Sequence, residues 1–289
     1  MNKKILIVAL IGIIGMMFIL GCISGKKDQE PVKPILPQEK VIKVAGCKTE
    51  YFLILQLAEA FKQKTGIEVQ VSPNGNKLAM GQLINGEIDI ADCCKPAEKL
   101  AQSIPSVKDN LDKLTSYEIA KDALAVVVHP DNPITELSYE DLKSIYSGNA
   151  TNWKDFGWET GGEITFCRID PKYESGSALL FQEMTIGVEN EFGDKGILAP
   201  SDNEMPQLVG KFSGMVGYCP LGKSPEGVKK ISINGIEPTK ENVKNDKYKL
   251  VTRYYLITTG EPKKEVKQFI DFVLSDEGQG IVNKDFISI

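Results

Sequence analysis

Residues 41–95 read VIKVAGCKTEYFLILQLAEAFKQKTGIEVQVSPNGNKLAMGQLINGEIDIADCCK. Val41-Ile-Lys-Val-Ala45 alternates apolar and polar, as a strand does, and Gly46-Cys47-Lys48-Thr49 turns the chain. Leu53, Ile54, Leu57, Ala58 and Phe61 then share one helical face, with Gly66 as a natural stop. Ile67, Val69 and Val71 alternate again. A polar loop, Ser72 to Lys77, leads into a short helix over Leu78 to Asn85, closed by Gly86. Ile88-Asp-Ile-Ala91 reads as a third strand, ending in Asp92-Cys93-Cys94-Lys95. Strand and helix alternate with short loops, the pattern of a parallel α/β sheet. In such a sheet ligands sit beyond the carboxyl ends of the strands, where these three polar loops lie.

Toward the C-terminus the pattern continues. Ala123 to Val128 reads as a buried strand, broken by His129-Pro130-Asp-Asn-Pro133. Ser138 caps a helix, with Asp141 three residues on, and Gly148 ends it. Met215 to Cys219 and Val251 to Thr258 read as strands. Pro262 opens a last amphipathic helix carrying Val266, Phe269, Ile270 and Val273 on one face.

A second stretch carries chemistry. The expected strand Glu163 to Cys167 runs into Arg168, and RIDPKYESGSALLF follows as residues 168–181. Ser175-Gly176-Ser177 precedes an apolar run at helical spacing. A helix N-terminus offers unpaired N–H groups and a partial positive charge. Hydroxyls add donors, glycine admits close approach, and arginine supplies a forked permanent cation. Together they make an anion pocket from Arg168, Ser175, Gly176 and Ser177. The alternative is an ordinary helix cap beside a surface arginine.

The N-terminus sets the compartment. Lys3-Lys4 and the sixteen uncharged residues Ile5 to Leu20 form a basic and then an apolar segment. It is short for a membrane span, which needs about twenty residues. Leu20-Gly21-Cys22 resembles a lipoprotein signal, with cleavage before a lipidated Cys22. An uncleaved anchor and an ordinary signal peptide are the alternatives. Residues 22–40, with Pro31, Pro34 and Pro37 among charges, read as a tether. Removing residues 1–21 takes away Lys3 and Lys4, so the formal charge moves from −5 to −7. Such an acidic chain is not a nucleic-acid binder by net charge. No paired carboxylates, Ser/His/Asp set or nucleotide loop points to an enzyme, and no cofactor is implied.

AKDALAVVVHPDNPITELSYEDLKSIYSGNATNWKDFG, residues 120–157, resembles the middle of the phosphate-type substrate-binding proteins of ABC importers. VAGCKTE, GEIDIADCCK, the Arg168 to Ser177 stretch, GMVGYCPLG and INGIEPTKENVKNDKYKLVTRYYLITTGEP fall in that family's order. The resemblance implies a periplasmic-binding-protein fold of type II, two α/β lobes with a ligand cleft between them. Expected boundaries are signal peptide 1–21, tether 22–40, lobe one 41–129, lobe two 130–228, and lobe one again 229–289. It further implies a lipoprotein on the outer face of the cell membrane that hands an oxyanion, most simply phosphate, to an ABC permease. Where the family has serine or threonine in its first loop, this chain has Cys47, Lys48 and Thr49. Asn74-Gly75-Asn76-Lys77 replaces a Gly/Ser-rich second loop, and Cys93-Cys94-Lys95 an Ala-Ser-Arg-like third. The segment from Arg168 to Ser175 is longer than usual. Cys47, Lys48, Thr49, Asn76, Lys77, Cys94 and Lys95 are therefore the lobe-one candidates.

Five cysteines besides Cys22 stand at expected strand ends: 47, 93, 94, 167 and 219. All five are expected to face the cleft. They read as small buried cysteines, as one or two disulfides, or as a thiolate cluster for a soft ligand or metal. There is no Cys-x-x-Cys pair, and the single His129 precedes a proline, so zinc has little support. Three functions follow: import of phosphate; the same fold with another cargo, either a molybdate-, tungstate- or sulfate-like anion or a soft metal or sulfur ligand; or a surface sensor.

Overall fold

The computed structural model describes residues 41–169, 175–223 and 225–289. The expected signal peptide, the Cys22 lipidation site and the tether lie outside the described residues. Among the described residues no helix is long and apolar enough to cross a membrane. The alternation expected over residues 41–95 is present as β1 (Val41–Gly46), α1 (Tyr51–Thr65), β2 (Glu68–Ser72), α2 (Asn76–Ile84) and β3 (Ile90–Cys93). Strand β1 runs between β2 and β3, parallel to both. Helix α1 buries Leu53, Ile54, Leu57, Ala58 and Phe61, the face read from the spacing, and ends on Gly66 at φ 74°. Each of the larger four, Leu53, Ile54, Leu57 and Phe61, contributes roughly 1.5–3 kcal/mol by leaving water.

Strand β3 begins two residues later than its apolar pattern suggests. Asp89 explains the shift. Its backbone N–H donates to Lys43 O at 2.9 Å, and its carboxylate accepts the Lys43 N–H at 2.9 Å. That double link ends the approach of the chain, and the ladder proper pairs Val44 with Ile90 and Gly46 with Asp92. Asp92 and Cys93, expected in a loop, are thereby drawn into the sheet and buried.

Two short helices, α3 (Ala97–Leu100) and α4 (Pro105–Lys108), lead to β4 (Leu114–Val128). After β4 come β5 (Glu136–Leu137), α5 (Tyr139–Tyr146), β6 (Thr165–Ile169) and α6 (Gly176–Thr185). Next are β7 (Ile197–Ala199), α7 (Glu204–Val209), β8 (Met215–Pro220), β9 (Lys229–Lys230) and β10 (Ser232–Ile233). The chain closes with α8 (Lys240–Lys244), β11 (Val251–Thr259), α9 (Lys264–Leu274) and α10 (Asp276–Asp285). The capping box of α5 is formed as read: Asp141 N–H donates to Ser138 Oγ at 3.0 Å and Ser138 N–H to Asp141 Oδ2 at 2.8 Å.

One mixed sheet runs β2-β1-β3-β11-β4-β8-β6-β7. Strand β4 joins its two halves. Leu114 to Ala123 pairs antiparallel with β11, and Leu124 to Val128 pairs with β8. The change of partner falls inside the strand, five residues before His129. The β4 segment before Ala123 carries too many polar residues to read as buried, yet β11 holds it extended. Two main cores flank the change. One packs Leu57, Phe61, Tyr254 and Phe269. The other packs Val126, Val128, Tyr146, Trp153, Phe181 and Tyr218. These are the two lobes.

Candidate functional site

The lobe-two wall is the strand–loop–helix read from residues 163–181. Strand β6 carries Arg168, and Ser175 caps α6, its hydroxyl accepting the Ala178 N–H at 3.4 Å. Residues 170–174 between them lie outside the described set. The Ser175 and Ser177 hydroxyls are 2.7 Å apart. Ser177 Oγ donates to Asp202 Oδ1 at 2.5 Å, and Ser175 Oγ lies 3.5 Å from Asp202 Oδ2. The helix N-terminus thus already holds a carboxylate, as its dipole and hydroxyls favour. Asp202 was not anticipated. It follows β7, a three-residue strand too short to show a period, which lies parallel to β6 and so ends on the same side. Arg168 is half-buried, with its guanidinium 4.9 Å from the Phe192 ring centroid. Its Nε is buried and makes no hydrogen bond.

The lobe-one wall stands at the carboxyl ends of β1 and β3. Here the two backbones approach closely: a Cβ at Gly46 would lie 1.7 Å from Asp92 O. Cys47 N–H donates to Asp92 O at 3.0 Å, and Gly75 N–H to Gly46 O at 2.6 Å. Cys47 Sγ lies 3.6 Å from Thr49 Oγ1, and Asn76 Nδ2 donates to Cys94 Sγ at 3.1 Å. The neighbouring Cys94 thiol, with burial, pushes Cys47 up; the Cys47 thiol and the Asn76 amide, against burial, hold Cys94 below its ordinary value.

Beneath this wall lie two carboxyls. Glu50 is 0 % exposed and neither oxygen has a hydrogen-bond partner. Asp92 is 1 % exposed, with Oδ1 also unpartnered. Burial pushes Glu50 well above the usual carboxylate range and Asp92 up to about 7. Glu50 was missed because a glutamate in a turn reads as solvated.

The walls meet at two places. A Cβ on Gly176, at the first turn of α6, would stand 3.3 Å from Thr49 Oγ1. Lys95 Nζ pairs with Glu183 of α6 at 2.8 Å. A cleft is therefore closed between the ends of β1 and β3 and the N-terminus of α6, with donors on both sides.

The PBP superfamily domain matches residues 29–277, most of the chain. The chain belongs to the PBP superfamily. It is 24% identical over 294 residues to the phosphate-binding protein PstS of Bacillus subtilis, covering 99% of this chain and 93% of that protein. Its structure is similar to that of PstS from Borrelia burgdorferi, with TM-score 0.75, 25% identity, and coverage of 87% of this chain and 99% of that one. It is also similar to an ABC-type phosphate transport receptor from Vibrio cholerae, with TM-score 0.74, 25% identity, and coverage of 86% and 100%. This is a PstS-like member with the two-lobed α/β fold, a binding protein and not an enzyme.

In this PBP-superfamily chain the cysteines do not all converge on the cleft. Cys47 and Cys94 line the lobe-one wall, partly buried. Cys93 is buried in β3 beneath them, because Asp89 shifts the strand. Cys167 in β6 and Cys219 in β8 are 0 % exposed within the lobe-two core, where successive residues of both strands are buried. Among the described residues no group of three or more His, Cys, Asp or Glu side chains is placed to hold a metal. The soft-metal reading loses its basis. Of the lysines, Lys48 is exposed on the loop after β1, Lys77 is exposed in the first turn of α2, and Lys95 faces Glu183.

Proposed function

We propose that this chain captures a small oxyanion, most simply phosphate, between its lobes and presents it to an ABC permease. The carrying observation is the N-terminus of α6: Ser175, Gly176 and Ser177 head the helix that follows the strand of Arg168, and Gly176 faces Thr49 across the cleft. Arg168 is assigned the main charge partner, with Ser175, Ser177 and the Gly176 and Ser177 amides as donors. From lobe one, Thr49 and Asn76 face the ligand, with Cys47 and Cys94 lining the wall; Lys48, Lys77 and Lys95 act through the field. The names and similarity of the relatives support phosphate as cargo. So does Asp202. An ionised carboxylate only accepts hydrogen bonds, so a ligand that keeps a proton at neutral pH can donate to it. Phosphate keeps one; sulfate, molybdate and tungstate do not.

The lobes in this reading exchange chain within β4, where core membership changes between Ala120 and Ala123 and the strand partner changes after Ala123, and between Leu250 and Tyr254 at the start of β11. The mature protein is a lipoprotein anchored through Cys22 to the outer face of the cell membrane, with residues 22–40 as tether. Calorimetric titration with phosphate, sulfate and molybdate tests the cargo. Arg168→Ala should weaken phosphate binding by more than about 2 kcal/mol, roughly thirtyfold, and Arg168→Lys should recover part of the loss. Equal affinity in wild type and Arg168→Ala rejects the site.

A further inference from the structure

Four aromatic side chains of lobe two form a row that ends at Arg168. Tyr218 stacks on Phe181 with 4.0 Å between ring centroids, Phe181 meets Tyr146 edge-on at 4.6 Å, and Tyr146 meets Phe192 edge-on at 6.2 Å. The Arg168 guanidinium then lies over the Phe192 ring, its Cζ 4.9 Å from the centroid. Tyr218, Phe181 and Tyr146 are buried, and Phe192 is half-buried. The same row fixes the strand that carries the arginine. Tyr146 Oη donates to Cys167 O at 3.3 Å, and the Ile169 N–H donates to Tyr218 Oη at 3.4 Å, one residue to either side of Arg168.

Phe192 comes from the loop after α6, and that loop is tied down. Gly193, the next residue, donates its N–H to Tyr146 O at 2.9 Å. A Cβ on Gly193 would stand 2.9 Å from Gly148 Cα, so the loop packs backbone to backbone against the turn that ends α5. The face of an aromatic ring is negative and attracts a cation laid over it. Such a contact occupies none of the guanidinium N–H donors, unlike a carboxylate partner. The buried Arg168 Nε still has no hydrogen-bond partner. A long side chain that is already held gives up less freedom when it grips a ligand.

We propose that Phe192 is a positioning residue of the anion site: its ring holds the Arg168 guanidinium in place before the ligand arrives and leaves the N–H fork free for an oxyanion. This rests on the anion reading above, in which Arg168 is the main charge partner. Phe192 acts through Arg168, and the aromatic row behind it transmits the rigidity of the lobe-two core to the one guanidinium at the cleft.

The test titrates inorganic phosphate calorimetrically into the full chain and its Phe192 variants. Phe192→Leu, apolar and close in volume, should weaken binding about fivefold to tenfold, the scale of a lost cation–π contact together with a newly mobile arginine. Phe192→Tyr and Phe192→Trp keep an aromatic face and should stay within about twofold of wild type. In an Arg168→Ala background Phe192→Leu should cost almost nothing more, because the group it positions is gone. A loss of packing alone would weaken both backgrounds alike. If the leucine variant fails to fold, or the Arg168→Ala background binds too weakly to titrate, a fluorine series decides alone. Phenylalanines carrying one, two and three ring fluorines at position 192 barely change the volume but drain the negative face, so affinity should fall stepwise. Unchanged affinity in Phe192→Leu, an equal loss in both backgrounds, or no trend with fluorine number overturns the proposal and leaves the anion reading standing. The anion reading fails by a different result: no phosphate binding in wild type, or equal affinity in wild type and Arg168→Ala, removes the site and the positioning role with it.

Discussion

Asp92→Asn separates the cost of a buried charge from every other role of the lobe-one wall. Asp92 is 1 % exposed, its Oδ1 has no partner, and burial raises it from 3.8 to about 7. The unfolded chain releases this proton near pH 4, while the folded chain holds it until about pH 7. The raised group thus contributes stability that is fully present below pH 4 and is lost as pH rises toward 7. Every tenfold difference in proton affinity between the folded and unfolded chain is worth about 1.36 kcal/mol, so the full loss is about 4 kcal/mol. Between pH 5 and pH 8 the part lost is about 2.6 kcal/mol. Asparagine is isosteric and has no proton to release. Its amide brings a pH-independent cost of about 1–3 kcal/mol if the new N–H finds no acceptor. The quantity that tests the reasoning is therefore the change in the difference with pH. Urea unfolding of both proteins at pH 5, 6, 7 and 8, without phosphate, should show the variant gaining on the wild type by about 2.6 kcal/mol across that range. A difference that stays constant from pH 5 to pH 8 would mean that Asp92 titrates near its ordinary value when folded, and the account of burial at this wall would be wrong.

Gly46→Ala should cost at least about 3 kcal/mol, because its Cβ would meet Asp92 O at 1.7 Å and backbone cannot rotate away; a melting temperature within 2–3 °C of wild type, about 1 kcal/mol, would refute it. Lys95→Glu should weaken anion affinity by no more than about fivefold at low salt, since its pair with Glu183 is exposed on both sides, and the effect should fade at high salt. Loss of affinity that persists at high salt would instead place Lys95 on the ligand. Asp202→Ala should narrow the preference for phosphate over sulfate tenfold or more, because the acceptor for a ligand proton is gone; an unchanged ratio in competition titrations would remove Asp202 from recognition.

The α/β class, the buried face of α1, the capping box at Ser138 and the strand–loop–helix at Arg168 were all legible in residues 41–289. Each is a local pattern: a period of two or 3.6, a capping residue at fixed offset, a glycine at a positive φ. The candidate anion residues Arg168, Ser175, Gly176 and Ser177 were legible for the same reason, since a helix N-terminus is a property of one segment. What tertiary structure alone decided were the contacts between segments far apart in sequence. Asp89 bonding to Lys43 moved β3 by two residues and buried Asp92 and Cys93. Strand β11 held the polar half of β4 extended. Asp202 reached the α6 hydroxyls, Glu183 took Lys95, and Glu50 was closed off from water. Burial and charge pairing depend on which distant groups share a space, and no single-segment pattern carries that distance.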